Sequence, residues 1–213
     1  SLSNYVFSTD NASSLNRTAG SLIDDIDMNT GTTILIGGSQ SNQTTALNNI
    51  GFDFFINGVR QTQFNVTSNG WVGVGSFAST TYGFLNAAAG VRLAPFLGTA
   101  TTGIGTSSIG RVHYKVVGTQ PNRVLVVEFL RMAINATVVN DTNTFQVRLY
   151  ESNGSFEYVY GRMNATIASA LNFNVGFQFS SALYNNVNIV SHTASSSNST
   201  PITLSTSGTI NNV

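Results

Sequence analysis

His113 and His192 are the two histidines of this chain, and neither stands in an H-x-H or H-E-x-x-H spacing. A zinc centre or a nucleophile–imidazole–carboxylate triad needs ligands or partners fixed around such a ring. His113, beside Tyr114 in an alternating segment, reads as a strand-face residue. Glu128, Glu151 and Glu157 could supply the paired carboxylates of glycoside hydrolysis. Arg123, Arg131 and Arg148 offer those acids ordinary cross-strand partners, so the pairing reads as structural and no catalytic residue is assigned. Asp24, Asp25 and Asp27, with Asn29, could present oxygens to calcium. Their spacing does not match an EF-hand loop, and a solvated loop is the simpler expectation. No metal and no cofactor is assigned.

Exposed aromatic rings are the other chemical resource, as platforms for sugars. Trp71, Tyr82, Phe84, Tyr150, Tyr158, Tyr160 and Tyr184 are the candidates, although Trp71 also fits an inward face with Val74 or Phe64. N-x-S/T triplets at the loop positions Asn16, Asn153 and Asn198 are open to glycosylation. A chain this rich in Asn, Ser and Thr produces such triplets by composition alone.

The elements that would position these residues are strands. Ile50, Phe52, Phe54 and Ile56 alternate with smaller or polar residues, the period of a half-buried strand. Asn69-Gly70 supplies positive-φ residues for a tight hairpin before Trp71. Val124 to Leu130 is apolar at almost every position and is the candidate central strand. Further strands are predicted over 1–9, 32–36, 59–67, 71–75, 92–97, 111–117, 144–151, 156–160, 173–180, 188–191 and 202–204. One helical turn is predicted near 85–89. Pro95 points to an edge strand or a bulge, and residues 98–109 read as a loop. The sum is an all-β, two-sheet antiparallel β-sandwich of jelly-roll type, one domain over 1–213. Phe52, Phe54, Trp71, Val126, Phe145, Val147, Phe177 and Phe179 are its predicted core.

Composition narrows the function. Charged residues are 8% of the chain, against about 25% in ordinary soluble domains. Nine basic and nine acidic residues cancel, and Lys115 is the one lysine. No basic cluster exists to neutralise phosphates, which excludes a nucleic-acid partner. No apolar run approaches the ~20 residues of a spanning helix, so no membrane insertion is expected. The absence of cysteine excludes disulfides and thiolate metal sites. A start at Ser1 fits a mature product whose signal peptide has been removed. A weakly charged surface of Ser, Thr, Asn, Gln and Gly suits an extracellular polymer or coat.

Several segments occur in a familiar order. They are Ile50-Gly51-Phe52-Asp53-Phe54, Phe64 to Gly70, Leu93-Ala94-Pro95-Phe96, Gly110 to Lys115 with Pro121 to Glu128, and Thr144 to Glu151 with Glu157 to Gly161. Over residues 45–180 this resembles the β-sandwich domain of secreted and cell-surface proteins of Bacteroidota, often placed beside fibronectin-type modules. Such domains often carry acids after the Ala-Pro strand. Phe96-Leu97-Gly98-Thr99 has none, so the resemblance implies no ligand site there. It implies a cell-surface location and a structural role, here that of a stand-alone fibre or pilus-like subunit. Copies would then join as a helical or linear homo-oligomer by strand donation. The donor candidates are Leu2, Tyr5, Val6 and Phe7 in segment 1–9, with 10–31 as a flexible tether and 201–213 as the second choice. A carbohydrate-binding or adhesin module is the alternative.

Overall fold

The computed structural model describes residues 23, 25–76, 90–98, 104–133, 143–161, 171–180 and 183–191; for 98, 171–174 and 183–191 it describes the strand only. The readings made for 1–9, 85–89 and 202–204, and for Asp24, Asn16 and Asn198, lie outside these residues.

Eleven strands make up the described chain: β1 (Thr33–Ile36), β2 (Asn48–Ile56), β3 (Val59–Thr67), β4 (Trp71–Val74), β5 (Val91–Gly98), β6 (Gly105–Val117), β7 (Val124–Ala133), β8 (Asn143–Tyr150), β9 (Phe156–Tyr160), β10 (Leu171–Ser180) and β11 (Leu183–Ser191). They form the expected two-sheet antiparallel sandwich, with sheets ordered β1-β6-β7-β8-β9 and β11-β10-β5-β4-β3-β2. Within it the winding is by meanders. β2 to β5 follow one another in one sheet, β6 to β9 in the other, and a single long return seats β10 beside β5. β7 is indeed the central strand of its sheet. The strand at the start of β6 begins at Gly105, inside the stretch read as a loop.

Alternation places the core. Ile50, Phe52, Phe54 and Ile56 are buried while Asn49, Gly51, Asp53 and Phe55 are not, or only partly. From the facing sheet come Leu125, Val127, Phe129, Phe145, Val147 and Leu149. Rings meet across the interface: Phe96 lies 5.9 Å from Phe145, and Phe64 meets Tyr114 edge-on at 5.0 Å. Each fully buried ring contributes on the order of 2–3 kcal/mol by leaving water. Two predicted core residues sit elsewhere. Trp71 and Val126 are fully buried, but with the parity of the outer faces. Phe177 only packs against the core from its rim.

The hairpin chemistry differs in one detail. Thr67 pairs with Trp71, so the β3–β4 loop is Ser68-Asn69-Gly70, and of these Gly70 alone has positive φ (91°). This is the three-residue loop ended by a left-handed glycine. The two-residue turn with both φ values positive is Asn57-Gly58, between β2 and β3.

Pro95 marks a bulge, and β5 is an interior strand rather than an edge. The β5–β10 register slips between Ala94↔Gly176 and Leu97↔Asn174. Two tyrosines of β9 reach into this slip from the other sheet. The Ala94 N–H donates to the Tyr158 hydroxyl at 3.1 Å, which donates to the Gly176 carbonyl at 2.6 Å. The Tyr160 hydroxyl donates to the Pro95 carbonyl at 2.6 Å. The hydroxyls satisfy backbone groups that the ladder leaves open at the bulge, and they bolt the sheets together. Burial holds both phenols well above the ordinary tyrosine range.

Candidate functional site

A strand pair exposed on one face should be polar there and wet. On the outer face of the five-stranded sheet the polar residues are present, yet dry. Register lines up His113 (β6), Glu128 (β7) and Gln146 (β8), with Arg148 two residues further along β8. All four are buried, as are Val126 and Val159 on the same face. Buried polar groups persist only when hydrogen-bonded, and these are. Arg148 Nε donates to Gln146 Oε1 (2.9 Å), and Gln146 Nε2 donates to Glu128 Oε2 (2.6 Å). His113 Nε2 lies 2.8 Å from Glu128 Oε1. A carboxylate only accepts, so this contact assigns the proton to Nε2 and leaves Nδ1 as acceptor. Thr32 Oγ1 (3.0 Å) and Arg111 Nε (3.3 Å) approach that Nδ1.

Both ends of this row close on one segment. Arg148 grips Asp25 with two parallel bonds of 2.7 Å, and Thr32 holds His113. Between them, Lys115 Nζ donates to the carbonyls of Asp27 and Thr30, and Met28 is buried. Residues 25–32 are therefore a strap laid over the sheet. This corrects the reading of 10–31 as a free tether, for buried Ile23 and for its part from 25 on. It also fits the burial of Val126 on the outer face of β7. Arg148 holds the Asp25 carboxyl below its ordinary value of 3.8.

The strap engages two of the three acids weighed for calcium, Asp24 lying outside the described residues. Asp25 turns to Arg148, while Asp27 accepts from Thr30 Oγ1 and the Asn29 N–H. The two carboxylates do not converge, and among the described residues no three acidic or histidine side chains gather as metal ligands.

Thr32, His113 and Glu128 do follow the order hydroxyl, imidazole, carboxylate. The imidazole is enclosed, and Arg111 competes for its accepting nitrogen. The row thus acts as a structural tie. Glu128 finds His113 and Gln146, not the arginines expected for it. Glu151 does take its arginine: Arg123 binds it at 2.6 and 2.8 Å and also donates to the Gly51 carbonyl at 2.8 Å. Glu157 lies 3.6 Å from Arg148 and accepts from the Tyr150 hydroxyl. Burial and that carboxylate push Tyr150 up to about 12.

The aromatic candidates disperse. Trp71 is buried under Arg92, whose guanidinium carbon stands 5.1 Å from the ring centroid. Burial brings Arg92 down to about 10, and the ring face favours the cation. Tyr158 and Tyr160 point inward, and Tyr82, Phe84 and Tyr184 lie outside the described side chains. Asn153 is exposed at the β8–β9 turn, where its Oδ1 accepts from the Ser155 N–H and Oγ. Asn65, also in an N-x-T triplet, is buried and closed to a glycan. The sequence held a signal for the row: His113, Glu128, Gln146 and Arg148 all sit at outward parity, and Glu128 stands there in a strand whose other outward positions nearby, Val124, Val126 and Leu130, are apolar.

Among the described residues no helix is long and apolar enough to cross a membrane. A family model described as NIDO related matches residues 15–212. Comparison with curated proteins and with solved structures gave no match.

Proposed function

The chain belongs to the NIDO-related family, and on that premise we propose that it is a non-catalytic extracellular subunit that joins copies of itself into a filament or surface appendage. The observation that carries this reading is the fate of its charge. Each described carboxylate is bonded within the subunit: Asp25 to Arg148, Asp27 to Thr30, Asp53 to Arg60, Glu128 to His113, Glu151 to Arg123 and Glu157 to Tyr150. Three of them, Asp25, Asp53 and Glu151, are paired with arginines, and the chain's nine acidic and nine basic residues cancel, so little net charge is left to repel another copy. The sandwich is also unclosed, with β1, β9, β2 and β11 at the ends of their sheets. A strand from a neighbour would find backbone groups to pair with on such an edge. Leu2, Tyr5, Val6 and Phe7 remain the proposed donor. Asn153, on an exposed turn, is the proposed glycan site within the described residues.

Electron microscopy of the purified chain, with and without residues 1–9, tests the proposal. Filaments from the full chain and dispersed particles from the truncated one are expected. Filaments that survive the truncation, or a full chain that stays monomeric at high concentration, would remove the donor-strand reading and favour the carbohydrate-binding alternative.

A further inference from the structure

The strap over residues 25–32 extends the assembly reading, on which it rests in one respect: both require copies of the chain to meet. We infer that residues 25–30 of the strap are exchangeable, their seat on the five-stranded sheet being open to the same segment of a second copy.

The seat belongs to the sheet. His113, Glu128, Gln146 and Arg148 come from three strands in continuous register and hold one another. They stay aligned when the strap leaves. The strap itself forms no strand over 25–32. Residues 25–30 are tied to the sheet through side chains of the sheet: Arg148 holds Asp25, and Lys115 holds two strap carbonyls. Release breaks these bonds without unzipping a ladder. Gly31, just before β1, has φ of 69° and open space where a Cβ would stand. A glycine so placed lets residues 25–30 leave in another direction while Thr32, next to β1, stays on His113.

Charge selects the occupant. In a chain of few charges the seat offers Arg148 and Lys115, and the strap brings Asp25 and Asp27. The arriving segment must be acidic where it meets Arg148 and present backbone carbonyls to Lys115. The chain's own 25–30 meets both demands, and an identical segment from a neighbour meets them equally. Exchange of an identical element between copies adds no new type of contact.

Two variants, each made without residues 1–9 so that filament assembly does not intervene, test this. Asp25→Arg sets two guanidinium groups against each other, and Arg148→Asp sets two carboxylates. Each is expected to be monomeric alone. Mixed in equal amounts they should form a two-subunit complex by light scattering and native mass spectrometry, because each strap then fits the other chain's seat. The double variant, with both changes on one chain, should stay monomeric. Both variants remaining monomeric on mixing, with circular dichroism showing them folded, overturns the inference. Should either variant fail to fold, a labelled peptide of residues 23–32 replaces the mixture. It should bind the Asp25→Ala chain at least about tenfold more tightly than the Asp25→Ala/Arg148→Ala chain. Equal binding, or none to Asp25→Ala, overturns it as well. Neither experiment needs residues 1–9. Loss of filaments with exchange intact would count against the proposed function alone, and filaments without exchange would count against this inference alone.

Discussion

Glu128 accepts bonds from two buried donors, the His113 ring and the Gln146 amide. Glu128→Ala would strand both, a change that typically costs about 3–5 kcal/mol when one partner of a buried pair is removed. Urea unfolding should show this as a shift in midpoint with an unchanged slope. Asp25 makes a separate prediction in pH. Its carboxyl is held below 3.8 by Arg148. A depressed folded value gives stabilisation that is complete above the unfolded value and lost as pH falls through the folded one. The acid limb of the stability profile, below pH 3.8, should therefore flatten in Asp25→Asn while the neutral region loses the clamp. Phe54→Ala should cost about 3–5 kcal/mol, and Phe177→Ala distinctly less, since Phe177 sits at the rim of the core. Hydrophobic alternation made Phe54 legible from sequence. It could not distinguish Trp71 or Val126 from core residues, because burial under a cover on the outer face carries the same apolar signature as burial between sheets.

Two glycines show how elements are held. Gly58 and Gly70 both take left-handed backbone, at φ of 75° and 91°. A Cβ on Gly58 meets open space, whereas one on Gly70 would stand 1.9 Å from the Phe96 carbonyl oxygen of β5. Gly58→Ala should cost about 1–2 kcal/mol, the backbone penalty alone. Gly70→Ala should cost well beyond that, because β5 must move; paired thermal unfolding curves isolate the difference. The strands themselves were legible because period-two patterns are local. The Asn57-Gly58 turn is equally local, an Asn-Gly pair set between two alternating segments. The start of β6 was hidden by its composition: Gly105 to Gly110 is Gly/Ser/Thr-rich and lies beside a register slip in its pairing with β7. The Tyr158 and Tyr160 bolts were illegible for another reason. They depend on a bulge in β5, far away in sequence. Tyr158→Phe should cost about 1–3 kcal/mol, since the Ala94 N–H and Gly176 carbonyl lose their shared partner.

At the level of the whole molecule, the strap changes how the chain would bear load. β1 is an edge strand of four residues, paired on one side only. Such a strand peels easily when tension is applied along its unzipping direction. A pull arriving from the N-terminal side does not reach β1 first. It meets Asp25, and through the two bonds to Arg148 it enters β8, which is paired on both sides by β7 and β9. From there Gln146, Glu128 and His113 spread it across the sheet to β6 before Thr32 hands the remainder to β1. In a string of subunits joined through their N-terminal segments, the clamp would act as a strain relief. The weakest strand would be loaded last, and the force needed to open the subunit would be governed by one guanidinium–carboxylate pair.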